Sequence, residues 1–120
     1  MNRQQWCSAL FESIDAKRTR DFLAFLTADA RFRFGGMPPA EGEAAVERAL
    51  EAFFGGVASL SHRVHDLWDT SGHVICRGEV HYVRRDGKSV NTPFCNVFTM
   101  RGDKIACYDV YLDPTSLTAP

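Results

Sequence analysis

The sequence predicts a single α+β domain over residues 1–120, in which a cone-shaped, curved antiparallel sheet wraps around three helices. Apolar stripes with helical spacing lie in the first half of the chain. The second half alternates apolar and polar residues in long runs that glycine-containing turns separate. A chain of 120 residues, 45% of them hydrophobic, is long enough to bury one core. The predicted order of elements is therefore α-α-β-α-β-β-β-β.

Two helices are predicted at the N-terminus. Trp6, Leu10 and Ile14 recur at every fourth position within residues 4–17, which is the spacing of one apolar helix face. After the charged segment KRTR, residues 21–27 concentrate large apolar side chains within two turns. We expect a short second helix there, packed on the first.

A strand and a third helix follow. Residues 30–34 (ARFRF) alternate between phenylalanine and arginine, which predicts a strand, and the loop from Gly35 to Pro39 ends it. Residues 43–54 place apolar side chains at i, i+4, i+7 and i+8, and a pair of glycines comes directly after them. This pattern predicts an amphipathic helix that stops at the glycines.

The remainder of the chain predicts an antiparallel meander of four strands. Turn-forming pairs divide it into alternating runs. The predicted strands are residues 60–68, 74–84, 89–100 and 104–112, with turns at Ser71-Gly72, Asp86-Gly87 and Gly102-Asp103. Strands of this length twist and curl, so we expect a concave sheet face that the helices only partly fill.

Composition narrows the function classes. The 14 basic and 15 acidic residues are scattered and give a formal net charge of -1, so we expect neither nucleic acid nor a membrane as partner. No stretch has the pattern of a signal peptide or of a bilayer-spanning segment, which predicts a soluble, cytoplasmic protein. The cysteines and histidines lack CxxC, HExxH or comparable spacing. We therefore predict free thiols, no metal site and no cofactor.

The element order, together with the segments GMPPAEG, TPFCNVFTMRGDKI and YDVYLDP, resembles the SnoaL-like branch of the nuclear transport factor 2-like superfamily. The resemblance covers nearly the whole chain and implies a cystatin-like roll around one small apolar pocket. The superfamily includes isomerases, cyclases, epoxide hydrolases, dehydratases and proteins without catalysis. The fold therefore does not fix the function.

Among these families, the chain is most similar to the limonene epoxide hydrolases. Their Arg-x-Asp pair falls on Arg77 and Glu79. Their water-positioning tyrosine and asparagine fall on Phe32 and Phe34, and the aspartate of their last strand falls on Val110. The resemblance thus implies that the groups that activate water are missing, and that one ion pair remains in a more apolar pocket.

Residues of the strand 74–84 are candidates for acid–base chemistry. A two-residue turn at Asp86-Gly87 would set the register between this strand and the strand 89–100, and six of their residues would then share one face. The facing pairs would be Arg77 and Asn96, Glu79 and Phe94, and His81 and Thr92. Glu79 could then transfer a proton while Arg77 or Asn96 polarises a carbonyl compound. The ketosteroid isomerases and polyketide cyclases use a pocket carboxylate in this way, and the resemblance leaves that part only to Glu79.

A second interpretation of this strand stays open. Arg77, Glu79 and His81 could be the solvated face of a half-buried strand. The opposite, buried face would then consist of Val74, Cys76, Val80 and Tyr82. Against this, the proposed neighbours Phe94 and Phe98 are too large and apolar for an open surface, which favours a covered face.

The last strand also has two alternatives. A two-residue turn at Gly102-Asp103 would direct Asp109, Tyr111 and Asp113 to the pocket, whereas a longer loop or a bulge would direct Tyr108, Val110 and Leu112 there. We adopt the second alternative because it matches the apolar residues of the neighbouring strand. In the strand 60–68, alternation places His62 and His65 on opposite faces, and we assign His62 to the pocket.

The sequence therefore predicts a pocket with Glu79, Arg77 and His81 as catalytic residues. The predicted substrate-binding residues are Phe32, Phe34, Phe54, His62, Thr92, Phe94, Asn96, Tyr108, Val110 and Leu112. We expect a small hydrophobic molecule as partner and a cofactor-independent isomerase, cyclase, hydrolase or lyase that uses acid–base chemistry. The alternative is a non-catalytic module for ligand binding or dimerisation.

A homodimer is the expected assembly. Val80, Tyr82, Cys95 and Val97 would form an exposed apolar patch on the face of the sheet opposite the pocket. A second copy of the chain would cover this patch.

Overall fold

A computed structural model describes residues 1–119 and confirms the predicted fold class. The helices are α1 (Arg3–Asp15), α2 (Thr19–Leu23), α3 (Glu43–Gly56) and α4 (Thr115–Thr118). The strands are β1 (Leu26–Phe34), β2 (Ala40–Glu41), β3 (Val57–Thr70), β4 (His73–Arg84), β5 (Ser89–Arg101) and β6 (Lys104–Tyr111). The sequence analysis does not predict the short elements β2 and α4.

All strands belong to one sheet with the order β2-β1-β6-β5-β4-β3. Strands β3 to β6 form the predicted antiparallel meander. Strand β1 pairs in parallel with β6 and extends the sheet on its far side. The hydrophobic core lies between one face of this sheet and the helices α1, α2 and α3. Within residues 1–119, none of the helices has the length and apolar character needed to cross a membrane.

Helix α1 is fixed at both ends. At its start, Asn2 and Gln5 form a capping box in which each side chain accepts a hydrogen bond from the other's backbone N–H, at 2.8 and 3.0 Å. Beyond its end, Lys17 has a left-handed backbone with φ 57°. The Lys17 ammonium donates to the carbonyl groups of Phe54, Val57 and Ala58 at 2.9, 2.7 and 3.2 Å. These contacts fasten the end of α1 to the junction of α3 and β3.

Helix α2 is shorter than predicted. It ends at Leu23, and Leu26 already pairs with Ile105 of β6. The N–H of Ile105 donates to the carbonyl of Phe25 at 2.9 Å, so this segment obtains its hydrogen bonds from the sheet. The helix predicted over residues 21–27 is wrong in its second half, because a short apolar run also fits a buried strand.

The pairing of β4 with β5 differs by one residue from the predicted register. The N–H of Arg84 donates to the carbonyl of Lys88 at 2.8 Å, so the turn contains three residues instead of two. Gly87 lies in this turn with φ 87°, which glycine adopts without steric cost. Side chains alternate between the two faces along a strand. The extra turn residue therefore places the residues of β4 that were predicted to face the pocket on the other face of the sheet.

The pairing of β5 with β6 contains a bulge, which decides between the two alternatives for the last strand. Arg101 lies opposite Lys104, as a two-residue turn requires, but the register shifts between Met100 and Thr99. Tyr108 consequently lies opposite Phe98, and both are buried. The alternative adopted for this strand, with Tyr108, Val110 and Leu112 facing inward, is confirmed.

A second bulge brings β3 unusually close to β4. The register shifts between Val64 and Asp66, and Val64 lies opposite Gly78. A Cβ atom on Gly78 would lie 1.9 Å from the carbonyl oxygen of Arg63. Only glycine permits this approach of the two backbones.

Candidate functional site

A cavity of about 770 Å³ lies between the helices and the concave face of the sheet. Its wall is mainly aromatic and aliphatic. The wall contains these predicted substrate-binding residues: Phe32, Phe34, Phe54, His62, Phe94, Asn96, Tyr108, Val110 and Leu112. Thr92 is buried on the same face of β5 but lies outside the wall. The position of the cavity thus agrees with the sequence, while the binding role of these residues stays a prediction.

The three predicted catalytic residues lie elsewhere. Arg77, Glu79 and His81 are exposed on the outer face of the sheet, because the turn after β4 has the extra residue described above. Arg77 forms an ion pair with Asp66 at 2.7 Å, and His81 contacts the side chain of Asn91 at 2.7 Å. Their predicted placement in the pocket, opposite Asn96, Phe94 and Thr92, is wrong. The second interpretation of this strand, a solvated outer face, describes their position.

The cavity wall instead contains a histidine that is paired with a carboxylate. His62 Nδ1 lies 2.6 Å from Oδ1 of Asp15, the last residue of α1. Asp15 also accepts the backbone N–H of His62 through Oδ2 at 2.9 Å. The contact at Nδ1 orients the imidazole ring, and the contact from the backbone N–H holds the carboxylate beside it. With Nδ1 engaged by Asp15, Nε2 is the ring nitrogen available to a ligand.

Aromatic rings shield this pair. The His62 ring lies 4.6 Å from the ring of Phe11 and 5.3 Å from that of Phe94, measured between centroids. The side chains of His62 and Asp15 are 10% and 25% exposed. Electrostatic interactions are stronger in such a setting than in bulk water. The contact between Asp15 and His62 is therefore partly shielded from solvent.

Sequence reasoning missed Asp15 because its partner is 47 residues away along the chain. One signal was present in the helical pattern. Asp15 follows Phe11 by four positions and therefore shares its side of α1. A carboxylate on the side of a helix that faces the sheet is a candidate for a buried partner.

Two tyrosines contribute neutral hydroxyl groups to the same cavity. Burial raises the pKa of Tyr82, and the nearby charge of Asp15 raises it further. Burial also raises the pKa of Tyr108 well above its usual range. Both side chains are therefore protonated at neutral pH and can donate hydrogen bonds to an oxygen atom of a ligand.

A smaller cavity of about 470 Å³ lies between α1 and β3 on the other side of the pair. Asp15 and His62 both line it, together with Ser8, Glu12 and His65. The imidazole ring of His62 thus borders both cavities.

The C-terminal segment closes part of the main cavity. Leu117 and its neighbours in α4 line the wall. Arg84 holds this segment by donating to the carbonyl groups of Ser116, at 3.3 Å, and Ala119. Arg84 also forms an ion pair with Asp86 at 2.8 Å. The segment around α4 therefore contributes to the shape of the cavity.

No group of three or more histidine, cysteine, aspartate and glutamate side chains within residues 1–119 is arranged to hold a metal ion. Cys7, Cys76, Cys95 and Cys107 are all free thiols. The side chains that line the main cavity offer an imidazole, tyrosine hydroxyl groups, an amide and a large apolar surface.

Solved structures share the whole fold at low sequence identity. A protein of unknown function from Burkholderia pseudomallei, described as NTF2-like, has a TM-score of 0.90 at 14% identity, covering 100% of this chain and 99% of that one. A SnoaL-like polyketide cyclase from Jannaschia sp. has a TM-score of 0.81 at 17% identity, covering 95% and 90%. An epoxide hydrolase from M. tuberculosis, described as LEH-like, has a TM-score of 0.77 at 16% identity, covering 92% and 82%.

At these identities the structural comparison shows the fold alone. Among curated proteins, none matches this sequence significantly. A family model does match: residues 8–108 agree with the SnoaL-like domain. Because this match spans most of the chain and the fold agrees with it, the protein belongs to the SnoaL-like domain family.

Proposed function

We propose that this protein binds a small, mainly apolar molecule in the main cavity and transfers a proton on it, with His62 as acid and base. The observation that supports this most is the 2.6 Å contact between His62 Nδ1 and Asp15 Oδ1 at the cavity wall. A histidine oriented by a partly buried carboxylate is a recurrent arrangement for general base catalysis. Here it replaces Glu79, which the sequence favoured.

The proton would come from a carbon next to a carbonyl group. His62 Nε2 takes the proton, the C–H bonding pair becomes the C=C bond of an enolate, and the carbonyl π pair moves to oxygen. A neutral hydroxyl group of Tyr82 or Tyr108 can donate to that oxygen. Asp15 stabilises the protonated imidazole. Return of the proton to carbon completes an isomerisation or a simple exchange without a cofactor. In a cyclisation, the enolate carbon instead bonds to the carbon of a second carbonyl group of the ligand, the π pair of that carbonyl moves to its oxygen, and the imidazolium gives its proton to this oxygen.

The names of structural neighbours are compatible with this class of chemistry. They include a polyketide cyclase and an epoxide hydrolase.

A second candidate function, ligand binding without catalysis, is favoured by a different observation. Phe32, Phe34 and Val110 line the cavity at the positions where the limonene epoxide hydrolases have water-handling residues. Activation of water is therefore not the reaction that we propose.

Hydrogen–deuterium exchange tests the proposal without knowledge of the natural substrate. The probe is 2-tetralone, a small apolar ketone with acidic C–H bonds, in D₂O. We expect the protein to exchange these hydrogens faster than an equal concentration of imidazole. The variant His62→Gln should lose about 10²-fold or more of this rate, the usual contribution of a general base. NMR of the ketone measures the rate.

The matched control is Glu79→Gln, which removes the carboxylate that the sequence favoured. Glu79 is exposed on the outer face, so this variant should exchange as fast as the parent. A His62→Gln variant that keeps the parent rate would contradict catalysis by His62. A parent protein that binds 2-tetralone without accelerating exchange would favour the non-catalytic function instead.

We also propose a homodimer formed through the outer face of the sheet, with a corrected set of residues. Val80 and Tyr82 are buried inside, at 0% and 1% exposure, and take no part. Trp68, Ile75 and Val97 lie side by side on the outer face through consecutive strand pairings, and Trp68 is 46% exposed. An exposed apolar row of this kind is typical of an interface.

A second copy of the chain suits this face because the face carries charges of both signs. Arg77 and Asp66 lie on it as an ion pair, and Glu79 lies nearby. A two-fold axis can therefore bring opposite charges together around the apolar row.

Light scattering measures the mass directly. We expect a dimer at micromolar concentration, and a monomer for Ile75→Arg, which places a charge in the middle of the row. Ala44→Arg, an exposed change on helix α3, should leave the dimer intact. A monomeric parent protein would refute the proposed assembly.

A further inference from the structure

Asn96 is the one buried amide side chain in the wall of the main cavity within residues 1–119. It belongs to β5, where the inward-facing residues on either side are Phe94 and Phe98. Across the sheet it lies opposite Cys76 of β4 and Val110 of β6. The residue is 1% exposed, so its amide group is surrounded by apolar side chains.

The side-chain oxygen of Asn96 has no hydrogen-bond partner within residues 1–119. An amide placed in apolar surroundings without a partner destabilises the folded state, and buried polar groups are usually paired for this reason. Valine or leucine would fit an inward position of this strand without that cost. This oxygen is shielded from solvent in the free protein, but Asn96 lines the cavity, so rotation of its amide group can present an acceptor to a donor that arrives with the ligand.

Asn96 and His62 contact different parts of the ligand. Their partners on β4, Cys76 and Val80, are four positions apart, about 13 Å of strand. The ring of Phe94 lies beside His62 and two residues before Asn96, so an apolar surface separates the two polar groups. A ligand can place a reacting carbon at His62 and a different group at Asn96.

We infer that Asn96 is a specificity-determining residue, which selects neutral, mainly apolar ligands that carry a hydroxyl or N–H donor away from the reacting end. The inference rests on the proposed function only in taking the same cavity as the binding site. It requires no proton transfer, because Asn96 acts on affinity. Ligands that lack the donor leave the amide oxygen unpaired and bind more weakly.

A pair of ligands of equal shape tests this inference. We would measure the affinities of 2-naphthol, which has a hydroxyl donor, and 2-methylnaphthalene, which has a methyl group in its place. Each is measured with the parent protein and with Asn96→Leu. For each protein we take the ratio of its affinity for 2-naphthol to its affinity for 2-methylnaphthalene. The quotient is the ratio for the parent divided by the ratio for the variant, and it no longer contains the difference in hydration between the two compounds.

The expected quotient is about tenfold in favour of 2-naphthol, which corresponds to one buried hydrogen bond. The matched control is Thr92→Val, a polar-to-apolar change on the same face of β5 but outside the cavity wall. Its quotient should stay close to one. We also expect Asn96→Leu to unfold at a temperature no lower than that of the parent, because it removes an unpaired buried amide.

A quotient close to one for Asn96→Leu would overturn the inference, and so would a failure of both compounds to bind. If Asn96→Leu does not fold, Asn96→Ala provides the same comparison. The result is independent of catalysis. If the parent protein does not accelerate hydrogen exchange but the quotient for Asn96→Leu is tenfold, the proposed function is contradicted and the role of Asn96 stands. If the parent protein accelerates exchange but the quotient is one, the role of Asn96 is contradicted and the proposed function stands.

Discussion

Gly78→Ala is expected to lower the free energy of unfolding by about 3 kcal/mol, at the upper end of the usual cost of overpacking. The new Cβ atom would lie 1.9 Å from the carbonyl oxygen of Arg63 and 2.9 Å from the Cα atom of Val64. Both are backbone atoms of β3, so no side chain can rotate away. The bulge at Val64 would have to open and β3 would have to separate from β4.

Urea unfolding measures this loss, and Gly56→Ala is the matched control. Gly56 is the last residue of α3, and a Cβ atom there meets nothing within 4 Å. The control should therefore change the stability by less than about 0.5 kcal/mol. Equal stabilities for the two variants would contradict the close approach of β3 to β4, which also sets the position of His62.

Asp15→Asn is expected to slow the exchange of 2-tetralone by roughly 10²-fold or more, although the reacting nitrogen of His62 is untouched. Asparagine keeps the shape of the side chain but has no negative charge to stabilise the imidazolium ion. Its NH₂ group can also donate to Nδ1, which favours the tautomer with the proton on Nε2 and removes the base. Asp15 is thus a positioning residue whose loss appears in the rate.

The matched control for this change is Glu12→Gln. Glu12 lies one turn earlier on α1, lines the smaller cavity and forms an ion pair with Arg18 at 3.6 Å. Its variant should exchange at the parent rate. Unchanged affinity for 2-naphthol in Asp15→Asn would show that the cavity is intact. If Asp15→Asn kept the parent rate as well, His62 would act without help from the carboxylate.

Alternation and turn composition were enough to predict the part of the cavity wall that β5 and β6 form, but not Tyr82 or Leu117, which also line the cavity. The inward faces of β5 and β6 were correct, because Phe94, Phe98 and Tyr108 are large apolar residues that only a core can accommodate. The face of β4 was assigned incorrectly, because it was inferred from the length of one turn. A two-residue turn would place Lys88 opposite Arg85, but the carbonyl of Lys88 accepts a hydrogen bond from the N–H of Arg84, so the turn has three residues. The pair Asp-Gly is compatible with both turn lengths, so the sequence does not distinguish them.

The pair of His62 and Asp15 illustrates a different limit. Each residue has an ordinary local pattern, one in a strand and one at the end of a helix. Their contact depends on how α1 lies on the sheet, which Lys17 fixes through three carbonyl groups of a distant segment. The whole core decides how two such elements pack, so the helical pattern can mark Asp15 as facing the sheet but cannot identify His62 as its partner.

The most direct measurement of the central claim is a crystal structure of the protein soaked with 2-tetralone. The account predicts that the ketone lies in the main cavity, with an acidic carbon about 3 to 3.5 Å from Nε2 of His62. Nδ1 of His62 should remain in contact with Asp15. A ketone bound on the outer face beside Arg77, Glu79 and His81, or a His62 ring turned away from both Asp15 and the ketone, would contradict it.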